Sequence, residues 1–365
     1  MSLSPSRKLL YVSSAQGVHD FRFIDLAKKA GWQVFFLRSD GKPNQKIKGA
    51  CAVEWIGNKF GISEINQQIF SESFLEVEQS INPDLIQIGP LVPTAGALSE
   101  DIRTPVLAVS WSRDLLIDLN GSRWSSDVAT KAITFSDHLL VDCQTVAQCA
   151  ISLGAISEQI SVIPWGVELE TFKFRPRKSM QTDLKIISLR TLEPLYRVSD
   201  LIEAVRILKS RSSLNLKLGI LGIGSDESNL REQVKSCQLG EYVEFLGHLP
   251  ESELPSVLSK FDVYVSTSPV DGSSISMLQA MATGIPCVVP NIQSNREWIE
   301  DGLSGFLYEV GNSSELATIL SKLSSKPLVV NSVIENAREV VEKRADWIKG
   351  GQNLLNVYEK LASRL

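Results

Sequence analysis

Short runs of Val, Ile and Leu alternate with longer amphipathic stretches along most of the chain. This alternation constrains the fold more than any other feature. KLLYVS at 8–13 leads into a glycine-containing turn, then the helical pattern HDFRFIDLAKKAG, then a second apolar run, WQVFFL. Strand, turn, helix and strand in that order make one βαβ unit. INPDLIQIG, TPVLAVS, HLLVDC and QISVIPWG continue the pattern. The second half repeats it with LKIISLR, LKLGILG, VEFLG, DVYVSTS and PCVVP, separated by stretches such as SDLIEAVRILKSR and SELPSVLSK. Runs this uniformly apolar are buried on both faces, so helices must cover both sides of each sheet. The expected fold class is α/β: two doubly wound parallel sheets of five or so strands each, facing a central cleft.

A chain of 365 residues is too long for one ordinary core, and 43% hydrophobic with 22% charged residues is enough to build two. Net charge is −5, which speaks against broad nucleic-acid binding. No apolar run approaches ~18 residues, so no membrane span is expected, and the first apolar patch is too short for a signal peptide. Cys51, Cys143, Cys149, Cys237 and Cys287 are scattered and form no CxxC pair, so they are read as reduced thiols serving as small core residues in a cytosolic protein. His19, His138 and His248 have no metal-site spacing, and no metal is expected. VELETFKFRPRKSMQTD, 167–183, lacks an apolar period. The expected organisation is a domain over 1–166, a linker over 167–183, a domain over 184–349, and a last helix over 350–365 crossing back to the first domain. Lys349-Gly350-Gly351 is expected to break the terminal helical region into two segments.

In open parallel sheets ligands bind beyond the carboxyl ends of the strands. Gly222-Ile223-Gly224 stands at such an end, but Glu227 replaces the third glycine of a dinucleotide fingerprint. Asp226 and Glu227 would also repel a pyrophosphate there. A tight strand-to-helix turn explains those glycines. The stretch SPVDGSSISMLQAMATGIPCVVP, 268–290, differs. Asp271 or Ser273 can cap a helix whose first turn holds Ser274, Ile275 and Ser276. Gly284 and Pro286 end it. A helix start alone accounts for these residues. The same start also offers free N–H groups to a phosphate, with no acid between Ser273 and Gln279. Gln279 lies five residues past Ser274, about 7.5 Å along the axis, so phosphates on Ser274 and Ile275 would bring a ribose to Gln279 and sugar hydroxyls to Asp271. Arg190 and Arg197, in SLRTLEPLYRV, supply guanidiniums in the same half.

Together these motifs resemble the family 4 glycosyltransferases of the GT-B fold, whose two domains are Rossmann-like. DGSSISMLQ, Asp271 to Gln279, resembles their E-x7-E motif, and Arg190 with Arg197 their basic pair. VEFLGHLPESELPSVLSKFDVYVSTS, GIPCVVPNIQSNREWIEDGLSGFLY and the HLLVDC…VIPWGVELETF approach are also similar, so the likeness covers about 130–310. The resemblance implies a retaining, hexosyltransferase-type enzyme needing no cofactor or metal. It would move a sugar from a nucleotide diphosphate sugar, by family habit UDP and here UDP-glucose, to a hydroxyl of a growing glycan or lipid-linked acceptor in polysaccharide synthesis. It would place Arg190 and Arg197 on the diphosphate with the amides of Ser274 and Ile275, Asp271 at the donor sugar, and Gly272 and Ser273 within the donor-binding turn. Gln279 would meet the ribose, His248 and Leu249 the base, and Gly17 the phosphates from the first domain. Arg190, Arg197 and Asp271 would carry catalysis. His19, Arg22, Trp111 and Asp114 would stand on the acceptor side. The implied location is the cytoplasm, with peripheral visits to the membrane face and no nucleic-acid partner. Three departures matter: Gln279 replaces Glu, Arg197-Val198 replaces Lys-Gly, and SWSRDLL lacks the family's reaction-centre His. The rival readings are a non-catalytic nucleotide-sugar-binding protein and a GT-B nucleotide-sugar epimerase; a dehydrogenase lacks its fingerprint.

Overall fold

The apolar runs pair as parallel strands in two separate sheets. The computed structural model describes residues 6–15, 17–44, 47–175, 183–212, 214–325 and 327–363. The first sheet contains β1 (Lys8–Ser13), β2 (Gln33–Arg38), β3 (Ala50–Ala52), β4 (Leu85–Gly89), β5 (Val106–Val109), β6 (His138–Val141) and β7 (Ile160–Val162), in the order β3-β2-β1-β4-β5-β6-β7. The second contains β8 (Asp183–Leu189), β9 (Asn215–Leu221), β10 (Val243–Gly247), β11 (Val263–Val265), β12 (Cys287–Pro290) and β13 (Phe306–Tyr308), in the order β10-β9-β8-β11-β12-β13. In each sheet the order reverses beside the first strand, the arrangement that leaves a binding crevice at the strand ends.

Every named strand pair is parallel. Each sheet has one strand more than the apolar runs suggest. The additions, β3 and β13, are three-residue edge strands, and in β3 Cys51 and Ala52 are exposed. Strands that short carry no readable period. Cys51 therefore departs from the expected core role, while Cys143 and Cys287 are buried; none of the five forms a disulfide. Along β8, Leu184 and Ile186 enter one hydrophobic cluster, whereas Ile187 and Leu189 enter another. The second sheet is thus covered on both faces, as its composition requires.

The chain divides into two compact units, Met1–Pro164 with Lys349–Leu365, and Trp165–Ile348. Residues 176–182, the centre of the expected linker, lie outside the described residues, as do 364–365 at the end of the expected last helix. Four helices matter below: α1 (Val18–Lys29), α2 (Val198–Arg211), α3 (Ile275–Thr283) and α4 (Trp347–Ala362). The expected break at Lys349-Gly350-Gly351 is absent, because α4 runs straight through it. The two glycines instead permit close packing. A Cβ on Gly350 would stand 3.5 Å from Ile163, and one on Gly351 3.1 Å from Leu26 of α1. Leu354, Tyr358 and Leu361 of α4 are fully buried, with Tyr358 edge-on to Trp32 and its hydroxyl donating to Gln87. No helix among the described residues is long and apolar enough to cross a membrane.

Candidate functional site

The second unit gathers its polar groups at the carboxyl ends of β8 to β11. The loop after β8 is pinned first. Arg190 N–H donates to Leu221 O at 3.1 Å, and Leu192 N–H to Ile223 O at 3.0 Å. A Cβ on Gly222, whose φ is +155°, would stand 1.9 Å from Arg190 O; one on Gly224 would stand 2.2 Å from Leu192 O. These glycines let two strand ends touch, and the result is a fixed Arg190.

The Arg190 side chain is only 11% exposed. Its Nη1 donates to Asp271 Oδ2 at 2.9 Å and to Ser274 Oγ at 3.3 Å. Its guanidinium carbon lies 4.4 Å from the centre of the Tyr196 ring, a cation–π distance. The buried Nε has no hydrogen-bond partner among the described residues. Burial works against the charge, but Asp271 and then Tyr264 and Tyr196 outweigh it, so the guanidinium is held more firmly protonated than usual.

Ser274, rather than Asp271 or Ser273, is the N-cap of α3, and its side chain makes no capping bond. The reason is that Asp271 is drawn to Arg190. Ser274 Oγ faces Ser276 Oγ at 3.3 Å, which in turn meets the Tyr264 hydroxyl at 2.8 Å. Burial pushes Tyr264 up to about 12, so it stays a neutral phenol. The first-turn amides of α3 thus receive no cap from Ser274 and lie beside a buried cation, which is an arrangement suited to an anion. Gly272 and Ser273 are buried in the preceding turn. Met277, Leu278, Met281 and Ala282 anchor the helix in the core, and Gly284 ends it at φ +80°.

The two arginines do not form a matched pair. The chain turns left-handed at Arg197, with φ +53°, and Arg197 precedes α2 as its N-cap. Both ends of its guanidinium bind Asp200, Nε at 2.7 Å and Nη2 at 3.3 Å. Asp200 raises the Arg197 pKa. Only Arg190 bonds to the turn before α3. Thr267 Oγ1 donates to Tyr196 O at 2.8 Å, tying this loop to the end of β11. After β10, His248 is exposed and Leu249 half-buried. Gln279 is 4% exposed, and its Nε2 donates to Glu251 Oε1 at 3.0 Å. Tyr196 and Glu251 were not singled out in the sequence. Their only signal was a place in strand-end loops.

In the first unit, Gly17 is the N-cap of α1. Its N–H donates to Asp20 Oδ2 at 2.6 Å, and the Tyr11 hydroxyl donates to Asp20 Oδ1 at 3.0 Å. The His19 ring lies 4.8 Å from that of Trp111, and Phe23 meets Trp111 edge-on at 6.0 Å. Burial, then the neighbouring Arg22, lower His19 to about 4. Trp111 is half-buried, and so are His19 and Arg22. Asp114 departs from its expected acceptor role. It is 1% exposed, and it accepts from Ser110 Oγ at 2.6 Å and from the amides of Leu91, Trp111 and Leu115 at 2.7, 3.3 and 3.0 Å. It is an internal tie of the β5 loop. Ser112, at φ +68°, donates to Asp142 Oδ1 at 2.6 Å in the same loop and was also missed.

The model of the family "Glycosyl transferases group 1" matches residues 170–340, nearly all of the second unit. Among relatives of this chain, the amylovoran biosynthesis glycosyltransferase AmsK of Erwinia amylovora is 29% identical over 58% of this chain and 53% of its own. The putative colanic acid biosynthesis glycosyltransferase WcaL of Escherichia coli is 33% identical over 52% of this chain and 48% of its own. The match thus spans about half the length of these two relatives. Among solved structures, Anabaena HepE in complex with UDP superposes with a TM-score of 0.78 at 19% identity, covering 97% of this chain and all of that one. HepE in complex with UDP-glucose gives 0.75 at 20% identity, covering 97% and 99%. This likeness establishes the GT-B fold, with its two Rossmann-like, parallel-sheet domains.

Proposed function

We propose that this chain is a glycosyltransferase of polysaccharide synthesis, which takes its sugar from a UDP-sugar such as UDP-glucose and adds it to a hydroxyl of a glycan or lipid-linked acceptor. One observation carries the reading: a buried, permanently charged guanidinium, Arg190, touches both Asp271 and Ser274, the N-cap of α3. Cation and helix start face the same spot, where a leaving diphosphate would gather charge. The names of AmsK and WcaL support the synthetic role, and the UDP and UDP-glucose held by HepE support the donor class.

In this reading the bond from the anomeric carbon to the diphosphate oxygen breaks as the acceptor oxygen bonds to that carbon on the same face. The acceptor proton passes to a diphosphate oxygen, and the anomeric configuration is retained. Arg190 and the amides of Ser274 and Ile275 stabilise the diphosphate without a metal ion. Asp271, held by Arg190, receives hydroxyls of the donor sugar, and its engagement disfavours a role as covalent nucleophile. Arg197 adds a second, half-exposed charge steadied by Asp200. His248 and Leu249 border the base. His19, Arg22 and Trp111 face the acceptor. The location is the cytoplasm, with acceptors met at the membrane face.

The test is a transfer assay with UDP-, GDP- and ADP-sugars on lipid and oligosaccharide extracts, with and without EDTA. The expected result is transfer from a UDP-sugar that EDTA leaves unchanged, giving the same anomer as the donor. An inverted anomer overturns the step. Binding of a UDP-sugar with no transfer or hydrolysis favours the non-catalytic rival.

A further inference from the structure

Among the acids at the strand ends of the second unit, Glu251 differs from its neighbours. Asp271 and Asp200 are neutralised by arginines. Glu251 belongs to no ion pair among the described residues, and it sits exposed at the turn after β10. Its one side-chain hydrogen bond among them comes from the Nε2 of Gln279, at 3.0 Å. Gln279 is itself 4% exposed and fixed by its place on α3. An amide donor orients a carboxylate through one oxygen without bringing a counter-charge to it. Gln279 alone could offer an incoming hydroxyl only a neutral amide oxygen.

This inference rests on the donor site proposed above. With the diphosphate at the start of α3, the next group of a nucleotide is its ribose. Gln279 stands about 7.5 Å along the axis from Ser274. The acid beside it presents two oxygens, one for each hydroxyl of a vicinal diol. We propose that Glu251, positioned by Gln279, is the residue that accepts the 2′- and 3′-hydroxyls of the donor's ribose. The role read from sequence at position 279 is thereby shared: the amide holds, and an acid 28 residues earlier binds. Glu251 becomes a specificity residue, because a charged acceptor left without its diol penalises a deoxy nucleotide.

The experiment measures calorimetric affinities of UDP, GDP and ADP and of their 2′,3′-dideoxy forms for the wild type, Glu251→Gln and the double variant Glu251→Gln/Gln279→Glu. The best wild-type ribonucleotide is expected to lose roughly tenfold to a hundredfold when its diol is removed, the range of a charge-assisted bond. In Glu251→Gln that ratio should fall close to one. In the double variant, where the acid moves to 279, discrimination should return. A wild-type ratio persisting in Glu251→Gln overturns the assignment. So does a parallel loss for both forms with the ratio intact, which is the mark of a merely structural tether. Failure of the double variant to regain discrimination, with its melting temperature unchanged, also overturns it. If no ribonucleotide binds the wild type, the donor-site reading falls and takes this one with it. Binding with an unchanged ratio refutes this one alone.

Discussion

At the scale of single residues, the site depends on how burial and charge trade against each other. Arg190 can be buried because Asp271 lies at 2.9 Å and the Tyr196 ring covers it. His19 shows the opposite case. Burial and Arg22 lower it to about 4 from 6.5, so it is neutral at physiological pH. A depressed histidine pKa means the unfolded chain binds the proton more readily. His19 therefore contributes stability that is fully present above about 6.5 and is lost as pH falls through about 4. Between pH 7 and pH 4, the wild type should lose up to about 3 kcal/mol more than His19→Phe, because folding lowers the imidazole from 6.5 to about 4. Denaturant unfolding of both proteins at the two pH values checks this; equal losses would count against it. The residue types at the site were legible: Arg190, Asp271, Ser274 and Gln279 stand out by charge and spacing. Their partners were not. Glu251 is 28 residues from Gln279, and pairing at that distance is set by sheet order, which no local pattern encodes.

At the scale of elements, parallel strands and the C-terminal end of α3 were readable because apolar runs and a left-handed Gly284 obey local rules. The N-cap was misread because tertiary charge overrode it: Asp271 went to Arg190. The break at Gly350-Gly351 was misread because helix packing on Leu26 and Ile163 outweighed glycine's poor propensity. Gly222 and Gly224 link strand packing to function. Alanine at either position pushes a methyl into the Arg190 or Leu192 carbonyl, at 1.9 or 2.2 Å. The expected cost is at least 1–3 kcal/mol, as for an overpacked core. Thermal unfolding of Gly222→Ala should show the second unit melting several degrees lower, and its nucleotide affinity should fall with it as the Arg190 loop shifts. A melting temperature and affinity equal to wild type would contradict this.

At the scale of the whole molecule, the two sheets could be read from sequence, because the alternation of apolar runs and amphipathic stretches repeats a widespread plan. The equivalence of the two arginines could not. It was lost when the backbone turned left-handed at Arg197 and gave that side chain to Asp200. Activity should therefore rest unequally on them. The decisive measurement is donor affinity and transfer by Arg190→Gln and Arg197→Gln, each checked for folding by circular dichroism. A buried charge-assisted contact to phosphate is worth several kcal/mol, against about 1 or less for an exposed one. Arg190→Gln is expected to lower transfer by roughly a hundredfold or more, and Arg197→Gln by less than about tenfold. A folded Arg190→Gln that binds the UDP-sugar and turns it over like the wild type would contradict the account.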